Sequence, residues 1–335
     1  MRLTHARILT ALALASCVTP LRAQDSHTTK ALPIRIPFRF VSLNAPVKLT
    51  AADVAVLVDG QERPILTLEG GDPGSRPLEL TLLFDTGMRI AASYSDDALK
   101  KARLDELPVT GVAVYGFENL LMPFCASTRD PRVLSEALRK VRSFMNENAG
   151  QYVDHPFHHA TPPPGSTAIA ESFFYGPTDK RDGSTAVYAA IRAALHDQAS
   201  RSGDVQRALV VFGRSNPGMR RVKPAEISAL ARELGIYLYV VRLFAPRGSG
   251  NQETSDDEPL LALGPATGGG AFAPESITAA GLNDILNKVV DGLRSSYVAV
   301  FQPKPSGTPS SHRLLIRVRP GVPGTVVGGY REAVY

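Results

Sequence analysis

Few residues in this chain combine the type and spacing that chemistry needs. The first group is Asp85-Thr86-Gly87, which follows the apolar run Leu82-Leu83-Phe84. An acid at the end of a buried strand must be solvated, paired or liganded, because an isolated buried charge is costly. Two chemistries suit such a group. One is activation of water by two carboxylates about 3 Å apart that share a proton. The other is a ligand-binding edge of an α/β sheet, where ligands sit beyond the carboxyl ends of the strands.

The paired-acid chemistry is that of an aspartic protease. It needs a second Asp-Thr/Ser-Gly turn, or one turn from each half of a dimer. This chain has a single such turn, set among alternating strand and helix patterns rather than in an all-β context. The protease reading of Asp85-Thr86-Gly87 is therefore rejected. Other groups read blandly. Asp154, His155, His158 and His159 carry metal-ligating types, but in a Pro-rich irregular run without a second ligand cluster. Thr267-Gly268-Gly269-Gly270 lacks the Lys of a phosphate-binding loop and reads as a turn into Ala271-Phe272. Ser172 and Ser184 have no evident His/Asp partners. Cys125 follows the apolar Leu120–Phe124 and reads as a buried structural thiol.

The elements that would position Asp85 follow from periodicity. Residues 33–69 read as a small all-β element: Ile34–Leu43 alternates, and Asp59-Gly60 marks a hairpin turn before Ile65–Leu68. Gly70–Pro77 is turn-rich. Leu78–Phe84, Val112–Phe117, Ala208–Phe212 and Ile236–Leu243 are nearly continuous apolar runs, as expected of strands buried on both faces. Leu120–Phe124 is a further strand candidate. Helices are expected over 96–107, from 130 onward, over 183–199, 224–234 and 279–293. Residues 148–182 and 245–259 read as irregular. The closing segments Ser296–Pro303, His312–Pro320 and Gly324–Tyr330 return to strand. Neither terminal β element could bury a face alone, so the two are expected to pair. The fold class is α/β: a doubly wound, mostly parallel sheet over 78–295, with a small flanking β domain built from 33–69 and 296–335.

Composition excludes several functions. The 335 residues are 44% hydrophobic and 21% charged, enough for a large core. The formal charge of +5 comes with no clustered basic stripe, so no nucleic-acid partner is expected. Residues 1–23 read as a secretory leader: Arg2 and Arg7, the apolar Ile8–Ala15, then small residues up to Ala23. Without Arg2, Arg7 and Arg22 the charge falls to +2. Leu14-Ala15-Ser16-Cys17 resembles a bacterial lipobox, which leaves two fates for Cys17: lipidation, or removal with the leader. No later stretch reaches the roughly 20 apolar residues of a membrane span. The chain is expected to be exported, periplasmic or secreted, either free or lipid-anchored.

Residues 78–295 resemble a von Willebrand factor A domain, and 33–335 as a whole resembles the secreted VWFA-related proteins of acidobacteria. The resemblance is carried in order by LTAADVAVLVDGQ, LLFDTG, VAVYGFENLLMPFCASTRDPRVLSEAL, GSTAVYAAI, RALVVFGRSNP, LGIYLYVVRL, ATGGGAF, SYVAVFQP and HRLLIRVRPG. It implies a Rossmann-like sheet and a protein-binding role.

Better-known members of that family hold magnesium at a metal-ion-dependent adhesion site: Asp-x-Ser-x-Ser, a Thr from a second loop and an Asp from a third. Hard cations favour such oxygen ligands. Carried over, Asp85 matches the first Asp and Thr185 the Thr. Gly87 and Arg89 replace the two serines, and Gly213 and Arg214 stand at the third-loop acid. The expectation is a degenerate site without magnesium or other cofactor, in which Arg89 or Arg214 pairs with Asp85; the competing reading leaves Asp85 simply exposed. The implied function is a non-catalytic interaction or adhesion module with an unidentified protein partner in the envelope or outside the cell. An unrecognised hydrolase and a residual cation-dependent binder are the alternatives.

Overall fold

The computed structural model describes residues 33–42, 47–71, 77–87, 91–118, 120–154, 161, 163–169, 187–201, 203, 205–214, 222–243, 258–304 and 309–334. The expected leader with Cys17, the His155/His158/His159 run, Ser172, Ser184, Thr185 and Arg89 lie outside them.

The central sheet begins with β5 (Leu78–Asp85), in which every residue is buried. Its even-numbered side chains enter one core and its odd-numbered Leu83 enters another, which is why the run is continuously apolar. β9 (Gln206–Gly213), β10 (Ile236–Arg242) and β11 (Gly270–Phe272) extend the sheet on one side. β6 (Gly111–Phe117), β7 (Leu120–Thr128) and the short β8 (Thr167–Ala168) extend it on the other. The order is β11-β10-β9-β5-β6-β7-β8. Pairing is parallel from β11 to β6, and β7 runs antiparallel to both its neighbours. The chain therefore leaves β5 in one direction and returns to its other side at β9. That reversal makes the β5/β9 junction the topological switch point, where ligands of such sheets sit.

Helices cover both faces. α1 (Pro131–Asp154) and α5 (Ala279–Arg294) pack on the face that includes Leu80, Leu82 and Phe84. α2 (Val187–Ser200), α3 (Pro224–Leu234) and α4 (Glu258–Ala266) pack on the face that includes Leu83, Leu209 and Val240. The doubly wound α/β fold read from the sequence is the fold observed.

Besides α1 and the short β8, which both enter the stretch 148–182 expected to be irregular, two elements differ from expectation. The helix expected over 96–107 is replaced by turns and a 3-10 turn at Leu104–Glu106. Pro108 drives Leu107 to an extended conformation, with ψ of 132°. The Arg103 N–H is taken by the Asn283 side chain on α5. The apolar residues that suggested a helix, Ala98, Leu99, Leu104 and Leu107, are all buried regardless. Conversely, α4 has no counterpart in the sequence reading, because Pro259, Gly264 and Pro265 break its pattern; Pro259 is tolerated in the first turn.

The Thr267–Gly270 run is the turn that joins α4 to β11. Thr267 Oγ1 donates within the α4 end, to Leu263 O or Gly264 O at 3.1 and 3.0 Å, and accepts from the Leu238 N–H at 3.0 Å. A Cβ on Gly269 would stand 1.8 Å from Leu238 O. The glycine is required by close backbone packing, which explains the motif without a phosphate.

The terminal strands form two four-stranded sheets. One is ordered β14-β1-β12-β4, from Gly324–Gly328, Ile34–Ser42, Ser296–Phe301 and Ile65–Gly70. The other is β15-β13-β2-β3, from Tyr330–Val334, Ser311–Val318, Val54–Val58 and Gln61–Arg63. Phe38, Phe40, Tyr297 and Phe301 of the first share a core with Val54, Val56, Leu314 and Ile316 of the second. Early and late strands thus close one sandwich, around a core neither set could build alone.

Candidate functional site

Asp85 ends β5 at the switch point. Both it and Thr86 are fully buried. Its Oδ1 accepts the Gly87 N–H at 2.9 Å, so Asp-Thr-Gly folds as a tight side-chain-capped turn. Thr86 is fixed by strand β6: its N–H and its hydroxyl both donate to Phe117 O, at 2.9 and 3.0 Å. Asp85 has further interactions and is not an orphan.

On β9 the facing position is Gly213. A Cβ placed there would stand 3.6 Å from the Asp85 Cβ, 3.5 Å from Val187 Cγ2 and 3.4 Å from Phe117 Cζ. A second acid at this position would lie directly against Asp85, and glycine supplies none. Arg214, half-buried, follows it. Among the described residues no Asp85–Arg214 ion pair is recorded, and Arg89, the other expected partner, lies outside them.

Two groups at this edge carried no sequence signal. Tyr94 lies within a loop, 4% exposed, with its ring 6.5 Å from Phe84. Burial pushes its phenol well above the ordinary value, and the Asp85 charge adds to that; Arg142 opposes both. The hydroxyl has no hydrogen-bond partner among the described residues. Arg142, on α1, donates to Ala91 O at 2.9 Å and reaches Asp96 at 3.4 Å. Glu118 directly follows β6, beside the strand end that pairs with Asp85. Burial raises its carboxyl to about 7. Neither the loop tyrosine nor the hairpin glutamate stands at a position of the adhesion-site pattern, so only the folded chain shows them together at one edge.

The donor set can be judged against a hard cation. Octahedral magnesium wants several oxygen ligands around one point. Asp85 offers one carboxylate with an oxygen already engaged, Gly87 and Gly213 offer no side-chain oxygen, and the Thr86 hydroxyl donates to Phe117 O. No group of three or more His, Cys, Asp or Glu among the described residues could hold a metal. These residues do not fit a divalent cation. Thr185 is outside them.

Cys125, on β7, is half-buried, and burial raises its thiol, which keeps it protonated and a poor nucleophile.

One arrangement lies far from this edge. Ser310 Oγ is 2.8 Å from His312 Nε2, and His312 Nδ1 is 2.7 Å from Asp59 Oδ2. Asp59 Oδ1 also accepts the Arg313 N–H at 2.9 Å. The three residues meet where β13 begins and the β2–β3 hairpin turns.

No protein-family model matches the chain, and no curated protein matches it. Among solved structures it is similar to a von Willebrand factor type A protein from Catenulispora acidiphila, with 9% identity over 92% of this chain and 74% of that one, at a TM-score of 0.38. It is similar to an aerotolerance-related membrane protein from Bacteroides fragilis, with 14% identity over 64% and 98%, also at 0.38. The von Willebrand domain of the type V pili tip protein Mfa5 from Porphyromonas gingivalis matches with 8% identity over 70% and 98%, at 0.37. At such scores the α/β assignment rests on the chain's own strand order, and the likeness adds no argument about the site. The solved structures it matches are for the most part von Willebrand factor A domain proteins.

Proposed function

We propose that the chain is an exported, non-catalytic interaction module of the von Willebrand A type, which contacts a protein partner at the carboxyl edge of its sheet without an ion. One observation carries this reading. Asp85 sits at the switch point, but its carboxylate is turned onto the Gly87 N–H, and Gly213 stands where a second acid would face it. The location suits binding, and the chemistry suits neither metal nor hydrolysis. Export is supported by the leader pattern in residues 1–23. No described helix is long and apolar enough to cross a membrane. Lipidation at Cys17 would tether the same module.

The test uses a photo-crosslinking residue at Arg214, on the carboxyl edge, and a control at Arg201, beyond the end of α2 at the opposite edge. Envelope extract is irradiated with and without chelator. The expected result is an adduct from position 214 alone, unchanged by chelator. Chelator-sensitive adducts, or equal adducts from both positions, contradict the proposal.

A second reading is hydrolysis by Ser310. The hydrogen-bond order Ser310–His312–Asp59 is that of a nucleophile, a base and its orienting acid. Ser310 is exposed, Asp59 is 52% exposed at its side chain, and the Arg313 N–H is committed to Asp59. These features suit a solvated hairpin cap better than a water-excluding site. A fluorophosphonate probe decides: labelling lost in both Ser310→Ala and His312→Ala establishes the hydrolase, and no labelling excludes it.

A further inference from the structure

The outer face of the sheet β15-β13-β2-β3 carries an open groove of about 570 Å³, lined by Leu57, Asp59, Gly60, Arg313, Leu315 and Arg317. Strand alternation produces it. Leu314 and Ile316 point into the sandwich core, so Arg313, Leu315 and Arg317 share the outer face. Leu315 lies directly across from Leu57, and the two form an apolar floor. Leu315 remains 39% exposed, so this floor is not covered by the rest of the described chain.

The walls carry two arginines, Arg313 and Arg317, and one acid, Asp59. Arg317 lies opposite Ala55 on β2 and faces no cross-strand acid there. Arg313 lies opposite Glu332 on β15. Among the described residues, neither guanidinium is hydrogen-bonded to a carboxylate. The other acids nearby are engaged: Asp59 accepts from the Arg313 N–H and contacts His312, and Glu62 pairs with Arg319. The Asp59 charge does reach Arg313, which leaves Arg317 the stronger attractor.

We propose that this groove docks an extended acidic segment of a partner protein. An apolar side chain of that segment rests on Leu57 and Leu315, and a carboxylate two residues to either side meets Arg313 or Arg317. The spacing follows from strand rise: each arginine is about 7 Å along β13 from Leu315, the distance between alternate residues of an extended peptide. Guanidinium and carboxylate make two-pronged hydrogen bonds, which fixes the register of such a segment. This surface is separate from the carboxyl edge, so the two proposals stand or fall independently.

The test is titration of the isotopically labelled protein with blocked peptides, followed by amide shifts. The probe is Glu-Thr-Leu-Thr-Glu; the controls are Lys-Thr-Leu-Thr-Lys and Glu-Thr-Ser-Thr-Glu. Saturable shifts of the Leu57 and Leu315 signals are expected with the probe, at a Kd on the order of 1 mM. At least fivefold weakening is expected in Arg317→Ala and in Leu315→Ser, with Arg317→Lys intermediate. The lysine control should not bind, and high salt should weaken the probe. Asp85→Ala should bind the probe as the parent does, which separates this outcome from that at the carboxyl edge. All substituted groove positions are exposed, and unchanged thermal melts confirm folding. Failure of the probe to shift these signals at several millimolar, or equal affinity in the variants, overturns the proposal.

Discussion

Strand β5 carries a carboxylate near each end, and the two are treated oppositely. Glu79, at the amino end, is met by two guanidiniums: Arg201 Nη1 at 3.2 Å and Arg207 Nε at 3.4 Å. Arg201 also donates to Asp197 at 2.6 Å and to the Tyr115 hydroxyl at 3.0 Å, with its guanidinium 5.8 Å from the Tyr115 ring centroid. Asp85, at the carboxyl end, is turned onto a backbone N–H. Beside it are a tyrosine hydroxyl without a partner among the described residues and a glutamate raised to about 7. Both carboxylates are buried on the same face of one strand. At one edge the buried charge is neutralised and locked; at the other it is held by its own turn, with one hydroxyl, that of Tyr94, left without a partner among the described residues. A sheet edge that serves only stability resembles the first, and unsatisfied edges are where function tends to concentrate.

The contrast predicts a graded series of effects. The largest is expected at Glu79. Glu79→Ala removes the acid shared by two half-buried arginines, of which Arg201 keeps Asp197, and should cost on the order of 3 kcal/mol in denaturant unfolding. Asp85→Ala removes the Gly87 N–H bond but breaks no ion pair recorded among the described residues, and should cost less than Glu79→Ala, about 1 kcal/mol. Equal costs would erase the distinction between the two edges.

Next is Glu118, where the sign needs care. Its folded pKa, about 7, lies above the usual 4.5. The folded chain therefore holds a proton that the unfolded chain releases between pH 4.5 and 7, and stability falls as pH rises through that window. The full shift corresponds to ~3 kcal/mol. Glu118→Gln should raise the Tm at about pH 8 by several degrees and leave it nearly unchanged at about pH 4. A gain at the acid end equal to that at the alkaline end would show that burial of this carboxyl is not the cause.

The two ends of β5 differ in how much of them is legible in the sequence. The continuous apolar run of β5 marks a strand buried on both faces, and residue order alone then puts Asp85 at its carboxyl end. The loss of oxygen ligands at Gly87 and Gly213 is equally plain, because it needs only residue identity. The partners of Glu79 are invisible in the sequence: Arg201 and Arg207 come from the end of α2 and from β9, and only the fold brings them together. Tyr94 is hidden beside a segment whose apolar residues suggest a helix, where Pro108 and the Asn283 cap impose turns instead. Periodicity reports burial well, and it reports backbone form less well when capping residues far along the chain decide it.

A smaller effect is expected at Arg201. Arg201→Lys keeps the charge but cannot reach Glu79, Asp197 and Tyr115 together, so ~1–2 kcal/mol should be lost, again by denaturant unfolding. The smallest is at Tyr94. Tyr94→Phe deletes a buried hydroxyl that has no partner among the described residues and should be neutral or stabilise by up to about 1 kcal/mol. A loss above that would mean the hydroxyl holds Asp85 in place.

Isothermal titration calorimetry with magnesium and with manganese tests the ion-free edge most directly. An Asp85 carboxylate turned onto Gly87, with glycine facing it from β9, should give no saturable heat at millimolar metal. Micromolar binding that disappears in Asp85→Ala would contradict the proposal and place a cation at the switch point after all.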